Sequence, residues 1–167
     1  ERHRGWVKKV SDTSSMYSSL SGLDASQEAR FMNTIRLAKE SDYVEGGSEA
    51  LLGDPRELAN PHTVMLFAAH AKRLGVGVGD AITMQAESPG GQTNTLDVTV
   101  VAVAEDMGFM TAFTVFVPAS DVCELYDISQ NTTGAVWVYL DDIDEAPVVM
   151  RHLREVLIAE GYEVMEH

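Results

Sequence analysis

Five histidines, one cysteine and 26 acidic residues are the groups in this chain with the chemistry to hold a metal or move a proton. Their spacing suits neither task. His3, His62, His70, His152 and His167 form no HExxH motif and no pair at ligand spacing, so a bound metal is not expected. His70 lies beside Lys72 and Arg73 in a short helical stretch, and His152 follows Arg151 on the polar side of a later one; both read as solvated. The run Asp141, Asp142, Asp144, Glu145 lacks the glycine and closing glutamate of a calcium loop. It reads as a solvated turn that adds negative charge at a helix start. Cys123 has no partner for an internal disulfide and reads as a small buried apolar residue rather than a nucleophile. Asn131-Thr132-Thr133 matches the glycosylation sequon, a frequent chance pattern, and neither GxSxG nor SxxK occurs. No catalytic residue is expected, and no cofactor.

Two segments remain. Gly75-Val76-Gly77-Val78-Gly79-Asp80 has spaced glycines, but it follows a helix and precedes a strand, the reverse of a dinucleotide site. Glu105 to Phe113 places Met107, Phe109, Met110 and Phe113 around Gly108 in the connection between two strands. Methionine and phenylalanine in such a place suit adaptable contact with a protein or a lipid chain. Those four residues, with the Glu87–Thr93 loop, are the candidate contact surface.

The elements that must carry these residues are legible in part. Residues 11–22 are serine-rich and read as loop. Asp24 with Gln27 has capping-box spacing, and Phe31, Met32, Ile35 and Ala38 predict a helix reaching Lys39. Residues 49–62, with two prolines, read as loop. From Thr63 the chain reads as a short apolar strand and then a short helix ending at Arg73-Leu74, with Gly75 just past its end. Ala81 to Ala86 and Leu96 to Ala104 are strands around a Pro-Gly-Gly loop. Val101 and Val103 fill the gaps in the second alternation, predicting cover on both its faces late in the strand. Thr111 to Val117 is a strand ended by Pro118, and Asp121 to Tyr126 a short helix capped by Ser120. Ala135 to Leu140 is a strand. Ala146, Val149, Met150, Leu153, Val156 and Leu157 recur at helical spacing, Gly161 closes that helix, and Tyr162 to Met165 is a last strand. The fold class is α+β, with mixed β-sheet lobes and amphipathic helices packed on one face. Residues 1–58 read as a helical and loop segment of a first lobe, 59–134 as a β-rich lobe, and 135–167 as a strand-helix-strand unit.

The chain has 167 residues, 45% of them apolar, and a net charge of −14. That charge excludes nucleic acid, whose phosphates need a basic footprint, and disfavours an anionic lipid surface. No apolar run reaches the roughly 20 residues of a bilayer span, and no signal peptide is evident. The opening Glu1-Arg2-His3-Arg4, without methionine, reads as a cut from a longer chain, with a frayed terminus.

Four segments in order, "AKRLGVGVGDAITM", "LDVTVVAVAEDMGF", "TVFVPASDVCELY" and "WVYLDDIDEAPVVMRHLREVLIAEGYEVM", resemble the extracytoplasmic core domain of MacB/LolC/FtsX-type ABC transporter permeases, over about residues 59–165. The "GFM…F" segment looks nearer to the lipoprotein-releasing branch than to efflux. The resemblance implies a non-enzymatic domain on the periplasmic side of the bacterial inner membrane, set between the first two membrane helices of a permease. ATP would be used by a separate cytoplasmic subunit or domain. The domain would rock in response and handle a lipoprotein substrate, its chaperone or a periplasmic adaptor, in a full-length protein that acts as a dimer. Residues 1–58 depart from the family pattern, which has a longer strand-rich stretch there. An "LGVGVGD" turn also resembles small β-barrel domains that cradle a cofactor in oxidoreductases, although a closing strand-helix-strand unit fits poorly in such a barrel. A free-standing periplasmic binding or signalling domain is the third reading.

Overall fold

The computed structural model describes residues 2–9, 14–25, 28–88, 90–108, 113–129, 138 and 140–162, with residues 2–9, 29 and 30 as backbone alone. Two compact units emerge, Glu1–Gly134 and Ala135–His167. The fold class is α+β.

The first unit is built on six strands: β1 (Arg2–Lys9), β2 (Ser15–Leu23), β3 (Thr63–Phe67), β4 (Ala81–Glu87), β5 (Thr93–Ala104) and β6 (Thr114–Pro118). They close into a barrel in the order β1-β2-β6-β3-β5-β4. The pairs β2·β6 and β3·β5 are parallel; the other four are antiparallel. Each strand has a neighbour on both sides, and the β3·β6 seam is the thinnest, a single pair at Met65 and Phe116.

Residues 1–58 therefore do not form a helical and loop segment: they bring two barrel strands. The serine-rich stretch is β2, buried at Met16, Ser18 and Leu20 with exposed or half-buried residues between. Serine makes a poor strand signal by propensity, but one inward side chain in two is enough to seat the strand. The start of the chain is not frayed, because β1 pairs with both β2 and β4. The helix expected to reach Lys39 stops early, as α1 (Ala29–Met32). Beyond it the chain runs extended beside β5: Ala38 N–H donates to the Val103 carbonyl at 2.9 Å and Glu105 N–H to that of Arg36 at 2.8 Å. Those bonds outcompete a helical periodicity that still buries Met32 and Ala38.

A one-turn helix, α2 (Glu40–Tyr43), and a 3₁₀ turn, Pro55–Ala59, follow. Asp54 caps the turn, accepting from Arg56 N–H at 2.9 Å. Gly53 is at φ +89 beside β5, where a Cβ would collide with the Val101 carbonyl oxygen. Helix α3 (Ala68–Leu74) ends at Gly75 in the left-handed conformation (φ 66, ψ 42), the usual chemistry of a helix stop. Helix α4 (Ala119–Tyr126) follows β6 directly. Ser120 does not cap it; its hydroxyl donates to Asp121 Oδ1 at 3.2 Å.

Two apolar clusters hold this unit. The larger gathers Leu20, Val64, Leu66, Ile82, Met84, Val98, Val100 and Val115 with Leu74 of α3 and Leu125 of α4. The smaller joins Met32, Leu58, Met65, Phe67, Val101, Ala102 and Ala104. Alternate residues of β3 enter different clusters, which is why its five residues are all buried. The last five residues of β5 are buried too, as the filled alternation predicts.

In the second unit, a 3₁₀ turn (Ile143–Glu145) leads into α5 (Ala146–Ala159). Asp142 caps that turn, accepting from Asp144 N–H at 2.9 Å. Gly161 (φ 88) ends α5, and Tyr162 N–H reaches the Leu157 carbonyl at 2.9 Å. The strands expected at Ala135–Leu140 and Tyr162–Met165 lie largely outside the described residues.

Candidate functional site

The described residues at the two ends of the β5–β6 connection are each held by a hydrogen bond. Asp106 Oδ1 accepts from Ala69 N–H, at the start of α3, at 3.4 Å. At the other end Ser18 Oγ donates to the Phe113 carbonyl at 3.2 Å. Between them Met107 is 49% exposed and Phe113 53% exposed, and Gly108 turns the chain at φ 83. Phe109 and Met110 lie outside the described residues. The two apolar side chains that are described thus stand half in water.

The Glu87–Thr93 loop does not join them in one surface. It enters β5 at Thr93, whereas Met107 follows Ala104 at the opposite end. Twelve residues of strand separate the two by roughly 35 Å along the chain. In that loop Ser88 turns inward, its Oγ accepting from Gln92 N–H at 3.2 Å, while residues 90–92 are exposed.

The histidines divide differently from expectation. His152 is exposed, but His70 is 3% exposed, its ring edge-on to Phe67 at a centroid distance of 6.3 Å. α3 is packed against the barrel, so the face that carries Ala71 and Leu74 also takes in the imidazole. Cys123 is buried, as a small apolar residue would be.

His62 is the more consequential one. It sits at φ 58 just before β3. Its N–H donates to Asp121 Oδ2 at 2.8 Å and its Nε2 meets Glu124 Oε2 at 3.1 Å, both on α4. The hydrogen bond to Glu124 raises the imidazole pKa. Asp121 is buried, and burial pushes its carboxyl upward against the bonds from His62, Ser120 and Thr63 that it accepts.

Sequence reasoning passed over a second feature, a cleft of about 850 Å³ between α2 and the Gly75–Asp80 turn. Asp42, Glu45, Lys72 and Asp80 line it, with Tyr43 in its wall. Its one sequence signal is the Gly-Asp turn; α2, a single turn of helix, carries none that periodicity detects. Among the described residues no group of three metal-ligating side chains is placed to hold an ion, and no helix is long and apolar enough to cross a membrane. No protein-family model matches the chain, and no curated protein is detectably similar to it.

Proposed function

We propose that this chain is a non-catalytic extracytoplasmic domain of an ABC transporter permease of the MacB/LolC/FtsX type, which handles a lipoprotein or a periplasmic partner at the β5–β6 connection. The observation that carries the reading is the anchored, half-exposed pair Met107 and Phe113. Flexible thioether and aromatic groups on a fixed base suit capture of an acyl chain or an apolar protein surface. A closed barrel suits a domain that must transmit movement, since its strands shift together rather than shear at an edge. Acidity keeps such a domain off an anionic membrane surface.

The test uses the parent permease with Met107→Ser and Phe113→Ser combined. Thermal unfolding of the isolated chain should change little, by less than roughly 1 kcal/mol for side chains this exposed, while transport and partner cross-linking fall. Unchanged transport sinks the proposal.

One observation favours a second reading, the cofactor-cradling barrel of an oxidoreductase. The barrel is closed and complete within Glu1–Gly134, so the C-terminal unit need not be fitted into it. The charge of −14 opposes a phosphate-bearing cofactor. The parent gene separates the two: apolar spans of about 20 residues flanking the domain support the permease, and a continuous soluble enzyme supports the barrel.

A further inference from the structure

Four neighbouring strands of the barrel, in the order β2-β1-β4-β5, share one outer face. Their inward positions are marked by Met16, Met84 and Leu96, all buried, and by Val7, which pairs with both methionines. The residues that alternate with these lie on the outside. Register then sets two outer rows. One runs Tyr17–Trp6–Gln85–Thr95, the other Ser15–Lys8–Thr83–Asp97. Neighbouring strands run about 4.8 Å apart, so each row spans roughly 14 Å, and the two rows lie about 7 Å from each other. Tyr17 is 66% exposed, and Ser15, Thr95 and Asp97 are exposed too.

The residue types on this face select a ligand. None in either row is aliphatic, so the face suits neither an acyl chain nor an apolar protein surface. Its two charges, Lys8 and Asp97, cancel. Arg4, paired with Ser19, and Glu87, paired with Thr93, continue the same alternation and cancel again, and Arg2 adds one cation at the end of β1. A nearly neutral face on a chain of net charge −14 is complementary to an uncharged partner and gives a polyanion little to hold. What remains is an aromatic pair set among hydroxyl, amide and carboxylate groups. A pyranose ring has the matching duality, with C–H bonds on its flat faces and hydroxyls around its rim. The negative face of an aromatic ring attracts such C–H bonds, while the Gln85 amide and the Ser15 and Thr95 hydroxyls both donate and accept. Thr83 Oγ1 already donates to Asp97 Oδ1 at 2.6 Å. The carboxylate is thereby held in place with acceptor positions to spare.

We propose that the outer face of β2-β1-β4-β5 binds a neutral oligosaccharide of β-linked hexoses. Trp6 and Tyr17 supply the stacking rings, and Gln85, Thr95, Ser15 and Asp97 take the sugar hydroxyls. Equatorial substituents leave the faces of each hexose free to stack, whereas a curved α-linked chain turns its rings away from a common plane. The site uses neither Met107 nor Phe113, so it stands or falls apart from the permease reading.

Cellohexaose, maltohexaose and hexathymidylate are the probes, titrated into the isotope-labelled whole chain with amide shifts followed at Tyr17, Gln85 and Thr95. Cellohexaose should saturate with a Kd of about 1 mM or tighter. Maltohexaose should bind at least several-fold more weakly, and hexathymidylate should give no saturable shift. Trp6→Ala and Tyr17→Ala should each weaken cellohexaose at least about fivefold, while Tyr17→Phe should keep it, because the ring and not the hydroxyl stacks. Gln85→Ala and Thr95→Ala, on two other strands, should also weaken it. Tyr162→Ala, at an exposed tyrosine of the second unit, should change nothing. Unfolding midpoints show which variants are folded. No saturable shift with cellohexaose, equal binding of maltohexaose, hexathymidylate binding at these residues, or unchanged cellohexaose binding by the folded alanine variants would each overturn the inference.

Discussion

The main-chain N–H of His62 donates to the buried carboxylate of Asp121 at 2.8 Å, across 59 positions of sequence. This bond ties the approach to β3 to helix α4, and the His62–Glu124 contact at 3.1 Å repeats the tie at the surface. The His62 imidazole and the Asp121 carboxyl both titrate, and both carry pKa values raised on folding.

Stability should therefore fall as pH rises. A raised imidazole pKa stabilises the fold fully below the unfolded value of about 6.5 and is lost as pH passes the higher folded value. A raised carboxyl pKa has the same sign: the Asp121 contribution is present in acid and lost as pH climbs from 3.8 through its raised value. The unfolding midpoint should be higher at about pH 5.5 than at about pH 8.5. His62→Asn, whose residue tolerates positive φ, should lose the part of that slope near neutrality. Both partners of the surface pair are more than half exposed, so the difference stays within about 1 kcal/mol. Identical pH profiles of parent and variant would refute the assignment.

Gly53→Ala should destabilise the barrel by more than about 1 kcal/mol, since alanine would face both φ +89 and the Val101 carbonyl. Denaturant titration of the two chains measures it. A neutral substitution would mean that residues 51–54 do not lie against β5.

Leu66→Ala, in the larger cluster, should cost about 2–5 kcal/mol. Val148→Ala on α5, where Val148 is 67% exposed, should cost less than about 0.5 kcal/mol beyond helix propensity. Comparable losses at the two sites would show that α5 is packed in solution.

Residues 1–134 expressed alone should fold, because all six strands and both apolar clusters lie within them. Their amide spectrum should overlay on the matching peaks of the whole chain. Collapse to an unfolded spectrum would make the C-terminal unit part of the barrel's stability.

Local chemistry alone determined a good deal of this protein. The run from Thr63 to Gly75, the alternation in β4 and β5, the two-sided burial late in β5 and the periodicity of α5 were legible because each is written in neighbouring side chains. So were the apolar residues of the β5–β6 connection, two of which stand half exposed. Tertiary pairing decided the rest. Arg2–Lys9 and the serine-rich Ser15–Leu23 become strands because β4 and β6 offer their hydrogen bonds from more than 60 residues away. Residues 33–39 give up a helix for bonds to β5, and His70 goes under because α3 meets the barrel on its face. The cleft and the His62–Asp121 tie were illegible for the same reason: each joins groups that no sequence window contains, and they meet only when the barrel closes.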